Sequence, residues 1–155
     1  MAIENLERLL AEHPFFKDLQ APHLGTVVGC ASNTTFAPGD VIFSEGGAAD
    51  RFYLLRYGKV GVLTFVPGRG AITIETIEPG EVIGWSWLFP PYKAHFDVRA
   101  LTLTRAVSLD GACLRTKCEQ DPVLGYELMK RFASVMMQRL EATRIQLLDL
   151  YADRP

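Results

Sequence analysis

The sequence has no long apolar run and no excess of basic side chains. Its apolar stretches fall well short of the roughly 20 residues that a membrane-spanning helix needs. The formal net charge is -2 over 155 residues, with both signs interspersed. This charge pattern argues against binding to nucleic acids or membranes through bulk electrostatics. The first residues also lack the basic and apolar regions of a secretory signal.

Residues that carry chemistry are scarce as well. The three cysteines, Cys30, Cys113 and Cys118, show no metal-site spacing to one another or to the three histidines. We interpret them as free thiols of a protein in the reducing cytoplasm. The sequence contains no G-x-S-x-G, H-E-x-x-H or P-loop motif and no paired carboxylates. We therefore expect no enzymatic activity, no metal and no cofactor.

The length fits one domain, residues 1–155, in which three zones follow one another. Residues 3–29 show helical spacing of apolar residues, with a break at His13 because a residue before proline avoids helical backbone. Residues 34–110 have the pattern of strands. Residues 111–152 are helical again.

The middle zone consists of short runs rich in β-branched and aromatic residues, separated by turns that contain glycine and proline. Apolar and polar residues alternate over residues 72–75, and we interpret residues 99–104 as a second alternating strand. Many short strands at this spacing predict an antiparallel sandwich or jelly roll of about eight strands.

The last zone has the clearest helical pattern. Asp121 is expected to cap a helix that begins at Pro122. Further on, an a/d seam continues for about three heptads and comprises Met129, Ala133, Met136, Leu140, Thr143, Leu147 and Leu150. The seam predicts a homodimer through residues 121–151. Packing of the same face against the protein's own sheet is the alternative.

Several motifs in this order are familiar. They are the segment 13–16 (HPFF), the segment 36–43 (FAPGDVIF), the segment 52–55 (FYLL) and the segment 79–84 (PGEVIG). Together with the long C-terminal helix they resemble the cyclic-nucleotide-binding domain family, above all the sensory half of bacterial catabolite-activator-like regulators. The resemblance implies a mainly β fold with α, namely a double-stranded β-helix (jelly-roll β-roll) flanked by N-terminal helices and a long C-terminal dimerisation helix. Its core is expected to contain Phe36, Ile42, Phe43, Tyr53, Leu55, Val60 and Val62.

The resemblance also implies a phosphate-binding cassette, and here the sequence departs from the family. In the family a glutamate holds the ribose 2′-hydroxyl and an arginine pairs with the cyclic phosphate. Gly84 takes the position of the cassette glycine, but Trp85 takes that of the glutamate. The arginine position falls at Ala94 and the small hydroxyl position at His95. Because the segment is one residue shorter than the family's loop, Lys93 is a further candidate for either position.

These departures disfavour a cyclic nucleotide. A desolvated phosphate without its guanidinium partner loses about 3–5 kcal/mol, and the lost bond from the glutamate to the ribose adds roughly 1–3 kcal/mol. Other cassette features remain, since Ser86 fits the family's pattern. The resemblance also places Thr143 where the family's C-terminal helix reaches the nucleotide base, with Arg139 one turn earlier.

The dense aromatic segment allows three interpretations: its rings plug the pocket, line a site for an apolar or aromatic ligand, or dock a partner protein. The rings belong to Trp85, Trp87, Phe89, Tyr92 and Phe96. We predict a non-catalytic regulatory module that does not bind cAMP or cGMP in the usual way and acts through protein contacts. The alternative is a sensor that binds a cyclic nucleotide or another small ligand in a rewired pocket and signals through the C-terminal helix.

Binding to DNA is not expected for this chain alone. Acidic and basic residues balance along the C-terminal helix, and no DNA-reading helix follows it in the sequence. Membrane binding is not expected either.

Overall fold

The computed structural model describes the backbone of residues 2–152 and the side chains of residues 5–152. Two helices come first, a sandwich of strands follows, and two further helices come last. The helices are α1 (Ala2–Glu12), α2 (Ala21–Val28), α3 (Gly111–Gln120) and α4 (Pro122–Ala152). Helix α1 ends directly before His13, which confirms the helix break predicted there.

Eight strands in the described residues form two four-stranded antiparallel sheets. They are β1 (Ala31–Phe36), β2 (Val41–Phe43), β3 (Arg51–Tyr57), β4 (Val60–Val66), β5 (Gly70–Ile77), β6 (Val82–Ile83), β7 (Asp97–Ala100) and β8 (Thr104–Asp110). The first sheet has the order β1-β8-β3-β6, and the second has the order β2-β7-β4-β5. This arrangement confirms the predicted β-roll with helices at both ends.

Strand β3 is buried on both faces, which places it between two hydrophobic clusters. Phe52 and Leu54 join the cluster between the first sheet and the helices, whereas Tyr53 and Leu55 join the cluster inside the roll. Successive residues of a strand point to opposite faces, so an unbroken apolar run is required here. All seven residues predicted to point into the roll belong to the inner cluster or pack against it.

An aromatic group joins the first sheet to the helices. The rings of Phe52 and Trp87 stack with centroids 5.0 Å apart, and Phe132 of α4 meets them edge-on at 5.1 and 5.5 Å. Phe15 contacts Phe132 at 4.8 Å. Each such pair contributes about 0.5–1.5 kcal/mol beyond the burial of its area. The group fixes α4 and the 3-10 helix Ser86–Leu88, which carries Trp87, on the same side of the roll.

Helix α4 is held by its first three turns. Asp121 Oδ1 accepts a hydrogen bond from the Leu124 N–H at 3.3 Å, as its predicted capping role requires. Leu124, Leu128 and Phe132 follow at intervals of four and are buried. Beyond residue 139 all described residues of α4 are exposed. The exposed part of the predicted seam contains Met129, Leu140, Leu147 and Leu150.

In the described part of the chain, no helix is both long and apolar enough to cross a membrane.

The strand predicted over residues 99–104 is wrong. Strand β7 ends at Ala100, a turn follows, and β8 begins at Thr104. Hydroxyl side chains in this turn bond to backbone groups, an interaction that competes with strand pairing. Thr102 Oγ1 accepts from the Lys59 N–H at 3.0 Å, and Thr104 Oγ1 donates to the Thr102 carbonyl at 3.0 Å.

The interpretation of all three cysteines as free thiols is also wrong. Cys30 and Cys113 form a disulfide, and only Cys118 is free. The two sulfurs meet because β1 pairs with β8, starting with Ala31 opposite Leu109. Cys30 directly precedes β1, and Cys113 follows β8 in the first turn of α3. The bond therefore ties the end of the N-terminal helical segment to α3.

Removal of this disulfide should lower the free energy of unfolding by about 2–4 kcal/mol, since it closes a long loop in the unfolded chain; the two cysteines are 83 residues apart in sequence. The test is urea unfolding of the Cys30→Ser/Cys113→Ser double variant beside the oxidised wild type. Cys118→Ser is the matched control and should leave the stability nearly unchanged. Equal stabilities of wild type and double variant would contradict the expectation.

His13 makes the stability depend on pH. Its Nε2–H donates to the Leu55 carbonyl at 3.1 Å, and its Nδ1 accepts from the Phe15 N–H at 3.2 Å, so the ring is held neutral. Burial is the main cause that lowers the pKa of His13 below 6.5, and Arg56 acts in the same direction. The bond to Leu55 opposes both.

As the pH falls below about 6.5, the unfolded chain takes up a proton at His13 and the folded chain does not. The free energy of unfolding should therefore decrease, by at most about 1.4 kcal/mol per pH unit from this group. We expect His13→Gln to reduce the stability difference between pH 7.5 and pH 5.5 in urea unfolding, whereas His95→Gln at an exposed position should not. An undiminished pH dependence in His13→Gln would disprove this role.

Candidate ligand pocket

A cavity of about 700 Å³ lies between the inside of the roll and helix α4. Its apolar walls consist of Phe43, Ala49, Val62, Ile74, Ile77, Ile83, Trp85, Ala94, Phe96, Val98, Met136 and Ala142, with the backbone of Gly84. Its polar side chains are Glu75, Ser86, His95, Arg139, Thr143 and Gln146. The volume falls in the range of small-molecule sites, which are typically apolar with a few polar groups.

Gly84 directs the chain from β6 to the 3-10 helix. Its backbone has φ 91°, a conformation that side chains with a Cβ rarely adopt. A Cβ at this position would also lie 3.0 Å from the ring of Phe43. Glycine is therefore required on structural grounds, whatever the pocket binds.

The two tryptophans of the cassette differ in burial, although both contact the outer cluster. Trp87 is fully buried against Phe52 in the outer cluster, whereas Trp85 is half-buried and lines the cavity. Arg115 of α3 holds the aromatic segment through two contacts. Its Nη1 donates to the Trp87 carbonyl, and its guanidinium lies 3.9 Å from the ring centre of Tyr92.

The aromatic segment does not plug the pocket. Of its five rings, only Trp85 and Phe96 line the cavity, and a large volume remains between them and the opposite walls. Trp87 and Tyr92 are engaged elsewhere, and Phe89 is exposed. Only Trp87 lies within the 3-10 helix. Trp85 precedes it, and Phe89, Tyr92 and Phe96 follow it, so closeness in sequence does not bring the five rings together.

Ala94, where the resemblance places the family's arginine, is apolar. Ala94 is buried in the pocket wall, where its N–H donates to the Gly47 carbonyl at 2.9 Å and its carbonyl accepts from Gly46 at 2.8 Å. His95 lies at the exposed rim, with Nδ1 3.4 Å from Ser86 Oγ. Lys93 is exposed and is not part of the pocket wall, so the structure does not bring this candidate to the site.

Arg139 is the cation of the pocket, and its charge is already compensated. Its Nε lies 3.3 Å from Glu75 Oε1, its guanidinium covers the ring of Trp85 at 4.8 Å, and Nη2 donates to the Val82 carbonyl. Burial lowers the pKa of Arg139, while Glu75 and Glu81 oppose this effect. An incoming anion would have to compete with these partners.

The remaining helix residue of the predicted site, Thr143, also faces the cavity. Its hydroxyl donates to the Arg139 carbonyl at 2.9 Å and can still accept a hydrogen bond. Met136 lines the cavity as well. Two residues assigned to the dimer seam, Met136 and Thr143, therefore lie at the border between the seam and the pocket.

Sequence analysis missed the partner of Arg139 and much of the wall. Glu75 was assigned only to a strand, because nothing local connects it with Arg139 on α4. Gln146 could have been found, since Arg139, Thr143 and Gln146 recur on one helical face. Within the described residues, no cluster of three or more His, Cys, Asp or Glu side chains could hold a metal ion.

Comparison with known proteins agrees with this geometry. Residues 33–121 match the family described as "Cyclic nucleotide-binding domain". The chain belongs to this family. A CRP-like cAMP-activated global transcriptional regulator of Mycobacterium tuberculosis is 25% identical over 151 residues, which cover 97% of this chain and 66% of that protein. The chain thus corresponds to about two thirds of the length of this curated relative.

Two solved structures have the same domain fold as this chain. A protein of Geobacter metallireducens, described as a candidate cyclic nucleotide-binding protein, superposes with a TM-score of 0.75 at 31% identity, over 90% of this chain and 98% of that one. A cyclic nucleotide-binding domain of Methylobacillus flagellatus gives a TM-score of 0.81 at 20% identity, over 96% and 85%. By fold and family the chain is thus a cyclic nucleotide-binding domain, and its sequence is similar to that of a CRP-like regulator.

Proposed function

We propose that this domain is a non-catalytic sensor that binds a small ligand in the pocket between roll and α4, but does not bind cyclic nucleotides in the family's usual way. The open cavity of about 700 Å³ is the observation that carries the proposal. A module that acts through protein contacts alone needs no such cavity. The sequence left both functions open, and the geometry favours the sensor.

The pocket lacks what a cyclic phosphate needs. Ala94 replaces the guanidinium in the wall, and Arg139 is engaged by Glu75, Trp85 and the Val82 carbonyl. Moving a phosphate into this site without a free cation costs on the order of 3–5 kcal/mol. The cAMP activation named for the mycobacterial relative therefore does not transfer to this chain.

Helix α4 is the proposed route of the signal. Arg139 and Thr143 line the pocket, while Leu140 and Leu147, which belong to the same a/d seam as Thr143, are exposed. We propose that this exposed seam forms a homodimer, with Met129, Leu140, Leu147 and Leu150 in its centre. A ligand that displaces Arg139 would then act directly on a helix that contacts the second subunit.

Two further expectations belong to this proposal. The domain acts as a regulator rather than an enzyme, and it does not bind DNA specifically by itself. The balanced charges of α4 support the last point, since counterion release requires clustered Lys and Arg.

Calorimetric titration with cAMP and cGMP should show no low-micromolar binding to the wild type. Trp85→Glu/Ala94→Arg should gain at least tenfold in affinity, because it supplies the ribose and phosphate partners. Trp85→Glu/Ala94→Gln is the control, with similar bulk and no cation, and should gain much less. Low-micromolar binding by the wild type would refute the loss of cyclic-nucleotide recognition.

Sedimentation velocity should show a dimer at micromolar concentration. Leu147→Glu, in the seam, should shift the species towards monomer because a charge would be buried in the interface. Ile145→Glu is the matched control, since it introduces the same charge at an exposed apolar position of α4 outside the seam. Equal effects of the two variants, or a monomeric wild type, would exclude this interface.

A further inference from the structure

The walls of the pocket also restrict the chemistry of its ligand, provided that the proposed sensor function holds. The inner end is formed by buried apolar side chains: Phe43, Val62, Ile77, Ile83, Ala94 and Val98. A polar group of the ligand placed there would find no side-chain partner, which costs about 1–3 kcal/mol for a neutral group and more for a charge. The inner part of the ligand must therefore be apolar.

Aromatic side chains occur on several sides of the cavity. Phe43 lies in the inner wall, Trp85 faces α4, and Phe96 lies at the exposed rim. Aromatic walls favour flat, ring-containing ligands, since offset stacking and edge contacts add to the burial of area.

The uncharged hydrogen-bonding side chains of the pocket lie at its rim, whereas Arg139 is more deeply buried. Ser86 is half-buried, and His95, Thr143 and Gln146 are exposed. They can contact one end of a ligand whose other end is buried. Hydroxyl, imidazole and amide groups both donate and accept, so they suit an uncharged polar group.

The charges at the rim disfavour an anion. Glu75 pairs with Arg139 at 3.3 Å, and the carboxylate of Glu81 also acts on Arg139. Burial raises the pKa of Glu81, and the positive charge of Arg139 opposes this effect. Lys93, the nearest other cation of the cassette, is not part of the pocket wall. An anionic ligand would thus have to break the pair between Arg139 and Glu75 or remain without a counter-charge.

We infer that the pocket takes an uncharged, ring-containing apolar ligand with one hydrogen-bonding group, such as a hydroxyl, carbonyl or amide, which lies at the rim beside Ser86, His95 and Thr143. The ligand class differs from the cyclic nucleotides in both charge and polarity. The buried wall selects the ring body, and the compensated Arg139 excludes the anion.

Two fluorescent probes test the inference because they share one skeleton and differ by a sulfonate: N-phenyl-1-naphthylamine and 8-anilino-1-naphthalenesulfonate. Binding is assigned to the pocket only if Ala142→Trp removes it. Ala142 is an exposed residue of α4 in the pocket wall, so the indole fills the cavity without disturbing the core. Glu141→Trp places the same ring next to it but outside the pocket wall, and should leave binding unchanged.

We expect the uncharged probe to bind the pocket at least tenfold more tightly than the sulfonate. Glu75→Gln should then reduce this ratio at least threefold by strengthening sulfonate binding, because it releases Arg139 from its ion pair. Circular dichroism verifies that each variant is folded.

The possible results distinguish a failure of the proposed ligand class from a failure of the proposed sensor function. Pocket binding of the sulfonate that equals or exceeds that of the uncharged probe would overturn the ligand class and leave the sensor function intact. An unchanged ratio in Glu75→Gln would also overturn the charge argument. If Ala142→Trp removes no binding of either probe, both the ligand class and the proposed sensor function fail.

Discussion

The stack of Trp87 on Phe52 is the contact on which the placement of the 3-10 helix, α3 and α4 depends. Phe52 belongs to the strand shared by both hydrophobic clusters, and Phe132 of α4 closes against the same pair of rings. Gly111 begins α3 beneath this stack, where a Cβ would come within 2.7 Å of the Trp87 Cβ. The 3-10 helix, α3 and α4 are thus positioned by one set of contacts. The pocket is the space that this packing leaves on the opposite side of the cassette.

As a consequence, different residues of the cassette serve the fold and face the ligand pocket. Trp87 and Gly84 are required by packing and backbone geometry, so they reveal nothing about the ligand. Trp85 and Ala94 also pack in the two clusters, but they line the cavity and can contact a ligand directly. Where a fold constrains neighbouring residues so differently, ligand chemistry can change while the fold remains intact.

Local sequence predicted most of the fold. Turn glycines, alternating runs and the helical seam act over a few residues, and the core of the roll followed from them. The Cys30–Cys113 bond and the Glu75–Arg139 pair join residues distant in sequence, so no local sequence pattern could predict them. The hydroxyl bonds of Thr102 and Thr104 converted an expected strand into a turn. In the pocket, the family resemblance pointed to Arg139 and Thr143, and both line the cavity. The volume of the cavity could not be predicted, because it depends on how Trp85 packs in three dimensions.

The uneven attachment of α4 has a mechanical consequence. The buried residues that hold it lie in its first three turns, and Arg139 pairs with Glu75 of the roll where the exposed part begins. At a rise of 1.5 Å per residue, the segment from residue 139 to residue 152 extends about 20 Å. A tilt of only about 5° at Arg139 would move its far end by about 2 Å, a shift comparable to those at regulated subunit interfaces. A small tilt of α4 beside the pocket would therefore produce a larger displacement at the C-terminal end of the helix.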